Sequence, residues 1–466
     1  MSSIMARQDV PERRGNRVLQ AQRRLFLRAS DIILIVAINA VLVVAMWVRH
    51  GGLDQLGSTS AKFTAAGQIT ALLGTYGALV QIFLMSRTPW LERRFGMDGL
   101  AQWHRWLGFS VVILIGAHVV FSTVGYALGD GKSVVAEAWT LVTTYPYVLM
   151  ATVATGLLIM TAITSLRAVR GQMKWETWRF LHLYAYLAVA LAFGHELAVG
   201  TDFSSDFVAI WYWVGLYVAL VLCILAFRLG NPLWLSFRHD LSIAEIVPEA
   251  PGVVSIYVKG RDLEQLRAQA GQYFRWRFFT RDGWWRTHPF SLSAPVNGRY
   301  LRITVKGLGD DSRALHGLHP GTAVGLEGPY GLFTANRQRR ARVLLIAGGI
   351  GITPLRALIE ELRVKRDSLA LIYRARSWED LVFKEELEKL IRDRRGTIHY
   401  IVGQRGTADL PVDPLSAQTI RRLVPDVESR DVFICGPASM MERLDGILRS
   451  IGVPPEQIHF ERFALI

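Results

Sequence analysis

Six apolar segments occupy the first half of the chain, and each is long enough to cross a lipid bilayer as a helix. They lie at about residues 30–48, 63–86, 104–126, 146–166, 178–199 and 207–228. Lys and Arg are concentrated in every second loop and in the tail at residues 1–29, which has no apolar core and does not resemble a cleaved signal. The positive-inside rule therefore predicts a multi-pass cell-membrane protein with both termini in the cytoplasm.

Two of these segments carry a histidine at each end. His104 and His118 are 14 residues apart, and His182 and His195 are 13 residues apart. At about 1.5 Å per residue these spacings correspond to about 21 and 20 Å, so two membrane levels hold two imidazoles each. Two imidazoles per iron would hold a six-coordinate haem. The alternative is that the histidines lie at helix ends for polarity alone, but four at matched depths favour ligation because ionisable groups in membranes are costly.

The angle between the two histidines around the helix axis differs between the two pairs. At about 100° per residue, 14 residues bring His118 to within about 40° of the direction of His104, whereas 13 residues leave His195 about 140° from that of His182. A distortion of the fifth segment beside Gly194 is one way to bring His195 to the same side.

Short β-type runs with turn residues between them follow from residue 240 to 335, which favours a small antiparallel barrel. Within it, residues 286–295 read RTHPFSLSAP. A flavin needs a flat wall, a hydroxyl near its N5 atom and cations for its pyrophosphate. Phe290, Ser291 and Arg286 offer these groups, and Lys306 and Ser312 are further phosphate donors. The same string is also compatible with an ordinary strand and turn.

From residue 343 onward, strands and helices alternate as in a doubly wound α/β domain. The segment VLLIAGGIGITPLRALIEEL starts with a buried strand that leads into three glycines, Gly348, Gly349 and Gly351. Thr353 is expected to be the N-cap of the next helix and Pro354 its first residue. Glycines let the backbone approach a pyrophosphate, and a helix N-terminus favours its charge. The segment lacks the G-x-G-x-x-G pattern, so by itself it is weak evidence for a dinucleotide site.

Two later strands end in residues of interest. Arg374 and Arg376 close the strand LALIYRARS, where an NAD-specific domain usually places an acid for the ribose hydroxyl. Arginine there favours NADPH, with NADH still possible, although two solvated surface arginines are an equally good interpretation. The strand in DVFICGPASMM delivers Cys435, Gly436 and Pro437 to the sheet edge at which such folds bind ligands.

Together, these motifs resemble those of the NADPH oxidase and ferric reductase superfamily, and of its bacterial branch in particular. The resemblance covers the chain after the basic tail. It rests on the paired histidines, on HPFSLS, on GGIGITP followed by CGP, and on the loop RTPWLERRFGMDGLAQWHRWLG.

The resemblance implies two b-type haems, one held by His104 with His182 and the other by His118 with His195. It further implies that the flavin is FAD. Ser291 and Cys435 become the candidate catalytic residues, and the remaining cofactor contacts are His288, Pro289, Phe290, Gly349, Thr353, Gly436 and Pro437. Phe463 resembles the aromatic residue that covers the flavin, but three further residues follow it in this chain.

The expected fold is multidomain. It comprises a cytoplasmic tail (1–29), a six-helix bis-haem membrane bundle (30–235), an antiparallel β-barrel FAD domain (237–337) and a doubly wound NAD(P)H domain (341–466). The expected function is electron transfer from cytoplasmic NADPH through FAD and two haems to an acceptor outside, either oxygen or a ferric chelate. An electron-relay subunit that serves an extracytoplasmic protein partner is an open alternative. A soluble flavin reductase with an inert anchor would leave the histidines unexplained. No nucleic-acid partner is expected.

Overall fold

The computed structural model describes residues 29–461 apart from 55, 201–205, 405 and 407–412. Most of the basic tail and Phe463 therefore lie outside the described residues. Six described helical segments are long and apolar enough to span a membrane. The main helices of the membrane half are α1 Ala29–Arg49, α2 Thr59–Leu84, α3 Pro89–Asp130, α4 Val134–Thr144, α5 Val148–Ser165, α6 Trp175–Val199 and α7 Phe207–Ile224, and a single helical turn, Arg167–Arg170, lies between α5 and α6. The six predicted spans are confirmed, whereas the short helix α4 was not predicted.

The third span begins earlier than the sequence indicated. α3 starts at Pro89, with Thr88 as its N-cap, and bends at Gly96, whose φ of 69° is in the left-handed region. Glycine adopts this conformation without a steric penalty. A Cβ at Gly96 would also lie 3.2 Å from Leu332 of the following domain. The first turns of α3 therefore form a separate segment that rests on the second half of the protein.

A continuous helical segment joins the membrane half to the barrel. After α7, Leu225–Gly230 forms a π-helical stretch that leads into α8, Asn231–His239. Leu235 of α8 is buried in the barrel core, and α8 packs against the last barrel strand. The boundary predicted near residue 235 therefore falls inside a helix.

Six antiparallel strands form the barrel, which confirms the prediction. They are β1 Leu241–Ala250, β2 Val253–Lys259, β3 Tyr273–Phe278, β4 His288–Ser291, β5 Tyr300–Lys306 and β6 Ala323–Tyr330, in the spatial order β4-β3-β6-β1-β2-β5. The Leu292–Ile303 bridge brings the two ends of the sheet together. Every second residue of β3 (Phe274, Trp276 and Phe278) is buried in the core, as a sheet with one solvent-facing side requires.

The final domain is a five-stranded parallel sheet. Its strands are β7 Val343–Gly348, β8 Leu369–Ala375, β9 Thr397–Val402, β10 Asp431–Cys435 and β11 Ile458–Glu461, in the order β11-β10-β7-β8-β9. Its main helices are α9 Ile352–Glu361, α10 Lys384–Asp393, α11 Ala417–Leu423 and α12 Ala438–Ser450. A separate apolar core lies on each side of the sheet, so β7 and β8 are buried along their whole length.

The predicted start of α9 is wrong by two residues. Gly349–Gly351 forms a 3-10 turn, and the helix begins at Ile352 with Gly351 as its N-cap. The Thr353 hydroxyl donates to the carbonyl of Ile350 at 3.0 Å rather than capping the helix. Pro354 is consequently the third helical residue. This placement is sterically acceptable, because the first turn of a helix has no internal partner for the N–H that proline lacks.

Candidate redox cofactor sites

His104 and His182 face each other at one membrane level, His104 on α3 and His182 on α6. Their ring centroids are 6.0 Å apart. The Nδ1–H of His104 donates to the carbonyl of Gln81 at 3.0 Å, and Nδ1 of His182 lies 3.3 Å from the Ser165 hydroxyl. Two bonds of about 2.0 Å to a first-row metal, plus the half-width of each ring, place the centroids of two axial imidazoles about 6 Å apart. The separation of the two rings therefore fits one iron held between them.

His118 and His195 form the second level on the same two helices. His118 donates from Nδ1 to the Gly67 carbonyl at 3.0 Å, and it lies close enough to His195 to interact with it electrostatically. A Cβ on Gly67 would be 2.4 Å from the Ser122 hydroxyl, so only glycine permits this approach of α2 to α3. Nδ1 of His195 is buried and has no hydrogen-bond partner in the described part of the chain.

The fifth span contains no break that would reorient His195. α6 is continuous through Gly194, so the suggested distortion at that glycine is not what the structure uses. Instead, the neighbouring Glu196 accepts hydrogen bonds from Thr75 on α2 and Tyr217 on α7. Phe193 packs on Tyr217 with ring centroids 4.2 Å apart. These contacts fix α6 against α2 and α7 around the His195 level.

The motif predicted to bind flavin lies on β4 at the rim of the barrel. The His288 and Phe290 rings are nearly parallel, at an interplanar angle of 8°, and Pro289 between them pairs with Arg275 on β3. The Ser291 side chain is 4% exposed, and its hydroxyl lacks a partner among the described residues. A buried hydroxyl without a partner is costly, so Ser291 is suited to donate to a bound flavin.

A cavity of about 310 Å³ beside this motif is lined by Arg286, His288 and Asp311 among others. The predicted phosphate donors already have partners: Arg286 pairs with Asp311, and Lys306 pairs with Asp380 of the last domain at 3.3 Å. The Ser312 hydroxyl accepts from the backbone N–H groups of Leu308 and Gly309. A pyrophosphate at this position would have to compete with these contacts.

The residues predicted to bind the nicotinamide nucleotide lie where β7 and β10 end side by side. A Cβ on Gly351 would lie 2.2 Å from the Cys435 carbonyl oxygen, and one on Gly436 would lie 3.1 Å from Cα of Gly348. Pro437 is the N-cap of α12. Gly349 has a φ of 53° and open space where a side chain would be, so its backbone is accessible to a ligand. The glycine turn and the Cys-Gly-Pro turn thus form one surface.

Cys435 and Glu461 are neighbours across β10 and β11 at the same edge. Burial, with the Glu461 charge as a smaller cause, raises the pKa of the Cys435 thiol, so the thiol is protonated at neutral pH. Burial also raises the pKa of Glu461 to about 8, helped by the charges of Asp98 and Glu92 on α3. Sequence reasoning missed Glu461; the available signal was an acid at the end of a buried strand.

Arg374 and Arg376 have different environments. Arg374 is buried, and its guanidinium donates to the backbone carbonyls of Ile401 and Gly403 at 3.2 and 2.6 Å. Arg376 is exposed. Arg374 is thus occupied within the domain, contrary to the interpretation that both arginines are solvated, and of the two only Arg376 is exposed.

Two family profiles match the chain. The one described as "Ferric reductase like transmembrane component" matches residues 70–193, and the one described as "Oxidoreductase NAD-binding domain" matches residues 345–445. A ferric-reductase-type membrane domain followed by a ferredoxin-reductase-type dehydrogenase is the fused architecture of NADPH oxidases and ferric reductases, so the resemblance inferred from the sequence is confirmed. The chain therefore combines a membrane half similar to ferric reductases with a domain similar to the NAD-binding domains of oxidoreductases.

Similar proteins include an NADPH oxidoreductase of Mycobacterium tuberculosis, 28% identical over 248 residues that cover 51% of this chain and 63% of that protein. A flavohemoprotein of Bacillus subtilis is 28% identical over 243 residues, which cover 47% of this chain and 58% of that protein. The reductase subunit of a glycine betaine monooxygenase from Chromohalobacter salexigens is 27% identical over 245 residues, which cover 49% and 65%. The chain spans less than two thirds of the length of each of these relatives.

Proposed function

We propose that this protein transfers electrons from NADPH on the side of its reductase domains to an acceptor on the opposite side of the membrane. The observation that carries the proposal is the pairing of His104 with His182, at a centroid separation of 6.0 Å, on the two helices that also carry His118 and His195. The same two helices carry both histidine pairs, which supports two bis-imidazole levels and which a purely structural role would not require.

Each proposed cofactor has residues that fit it. His104 and His182 would hold one b-type haem, and His118 and His195 the other. The flat His288–Phe290 wall and the unpartnered Ser291 hydroxyl fit FAD. When bound, FAD accepts electrons in a pair from a nicotinamide nucleotide and releases them singly, and haem iron carries them one at a time.

The protein's own groups orient these cofactors and exclude water. The Gln81 and Gly67 carbonyls hold Nδ1 of His104 and His118, which would leave Nε2 of each ring for a bound iron. The glycine turn at β7 leaves its backbone accessible for the nucleotide. Glu461, whose pKa of about 8 keeps it protonated at neutral pH, is suited to hold a proton on its carboxyl beside the Cys435 thiol.

We propose that the reductase domains are cytoplasmic, because the basic loops lie on their side of the membrane. An inside-negative potential would then assist outward electron transfer by about 2.3 kcal/mol per electron per 100 mV. For the acceptor we propose molecular oxygen or a ferric chelate.

The test uses purified protein with NADPH, FAD and haem. Dye reduction that is sensitive to superoxide dismutase indicates oxygen as the acceptor, and reduction of ferric citrate indicates a chelate. Activity only after a periplasmic extract is added would favour a protein partner. If NADPH fails to reduce haem in anaerobic protein that retains both cofactors, the proposal is wrong.

A further inference from the structure

A charged cluster in which the two arginines are buried crosses the boundary between the barrel and the nucleotide domain. Arg302 on β5 is 7% exposed and donates to the carbonyl oxygen and hydroxyl of Ser293 at 2.7 and 3.1 Å. Ser293 belongs to the HPFSLSAP motif, two residues after Ser291. The Arg302 guanidinium also lies 4.5 Å from the centroid of the Phe383 ring, which belongs to the nucleotide domain.

The other end of the cluster reaches the helix that follows the glycine turn. Arg302 donates to both carboxylate oxygens of Glu386 on α10, at 3.2 and 3.4 Å. Glu386 also accepts from Arg356 on α9, which is 4% exposed and pairs with Glu360 in addition. A chain of direct contacts therefore runs from the flavin motif, through Arg302, Glu386 and Arg356, to the nucleotide-binding helix. We call these three residues the interdomain network.

Within this network the ion pair between Arg302 and Glu386 joins the two domains, whereas Arg356 pairs with Glu360 and Glu386 inside the nucleotide domain. Removing one partner of a buried ion pair leaves an uncompensated charge, which is strongly destabilising, whereas an exposed pair contributes little. The planar guanidinium of Arg302 and its contact with both oxygens of Glu386 restrict the relative orientation of the groups as well as their distance. The network is therefore complete only over a narrow range of domain arrangements.

We propose that the interdomain network sets the distance and angle at which a bound nicotinamide meets the flavin, so that Arg302, Glu386 and Arg356 are positioning residues for hydride transfer. This inference rests on the first half of the proposed function. In that step a hydride leaves C4 of the nicotinamide with its electron pair and is taken up at N5 of the flavin, so the nucleotide is oxidised and the flavin reduced by two electrons. A misplacement of about 1 Å can lower such a rate about 100-fold.

The test compares Glu386→Gln with wild type and Arg449→Met in the full-length protein. Arg449 is a suitable control because it pairs with Asp445 on one exposed helix face of the same domain. Stopped-flow flavin reduction is measured with NADPH and with NADPH deuterated at C4, and hydrogen exchange is measured in residues 291–296.

For Glu386→Gln we expect the rate of flavin reduction to fall at least tenfold while the KM for NADPH changes less than threefold. The deuterium isotope effect should increase, and exchange in residues 291–296 should become faster although the substitution is in the other domain. Arg449→Met should match wild type. Glu386→Asp, which keeps the charge with a shorter reach, should give an intermediate rate and serves as the second variant if Glu386→Gln does not fold.

A folded Glu386→Gln or Glu386→Asp protein with a wild-type rate, isotope effect and exchange pattern would overturn the inference. Flavin that NADPH does not reduce in the wild type would instead refute the proposed function. The two failures are therefore distinguishable.

Discussion

Substituting Gly351 by alanine tests whether the close approach of β7 and β10 forms the nucleotide site. The new Cβ would lie 2.2 Å from the Cys435 carbonyl oxygen and 2.7 Å from the backbone nitrogen of Gly436. Ordinary contacts between heavy atoms are about 3.5–4.0 Å, so one backbone segment must move by more than about 1 Å. Because both obstructing atoms belong to the backbone, no rotamer change relieves the clash. We expect a loss of about 3 kcal/mol of stability, at the upper end of the usual range for overpacking.

The assay is thermal unfolding of the full-length protein, together with calorimetric titration of NADP⁺. A loss of about 3 kcal/mol in a domain of this size corresponds to a decrease in Tm of roughly 10 °C. We also expect at least tenfold weaker NADP⁺ binding. Gly446→Ala is the matched control, because a Cβ on this α12 residue has no atom within 4 Å. It should stabilise the helix by up to about 1 kcal/mol. If Gly351→Ala melts and binds NADP⁺ like wild type, the two turns do not form the site as described.

Three further outcomes are expected. Arg376→Ala should reduce the NADPH-to-NADH ratio of kcat/KM about ten- to hundredfold, whereas Arg374→Ala should lower Tm and leave the ratio unchanged because its bonds are internal. Because the pKa of Glu461 is raised to about 8, the folded protein binds more protons at this residue than the unfolded protein between pH about 4.5 and 8. The free energy of unfolding should therefore decrease as the pH rises through this range. Glu461→Gln should flatten a profile of Tm measured from pH 5 to 9. A fragment of residues 231–466 should fold and bind FAD, whereas a fragment of residues 240–466, which lacks Leu235, should unfold at a lower temperature; equal melting temperatures would show that α8 is dispensable.

The membrane half was predictable because its signals are local. Apolar length alone identifies a span, and two histidines on one helix have a fixed axial separation whatever surrounds them. The two histidine-bearing spans correspond to the helices α3 and α6. The surroundings of His195 were not predictable, because the contacts of the neighbouring Glu196 with Thr75 and Tyr217 come from other helices, which the spacing does not encode.

The reductase half shows where local reasoning fails. The glycine turn was placed correctly, but the 3-10 turn moved the start of α9 to Ile352. The sequence is compatible with a solvated Arg374, yet its guanidinium is buried and donates to a backbone carbonyl at the end of the neighbouring strand β9. Arg302 and Glu386 form an ion pair across a separation of 84 residues. Nothing in either local sequence indicates such a pair, since it exists only once the two domains meet.

The haem content of the purified protein tests the central claim most directly. A pyridine haemochrome assay, normalised to quantitative amino-acid analysis, should give two b-type haems per chain, and His118→Ala should give one. His104→Ala should also give one, with the opposite level retained. One haem or none in the wild-type protein, or two in either variant, would contradict the assignment of the four histidines to two haem sites.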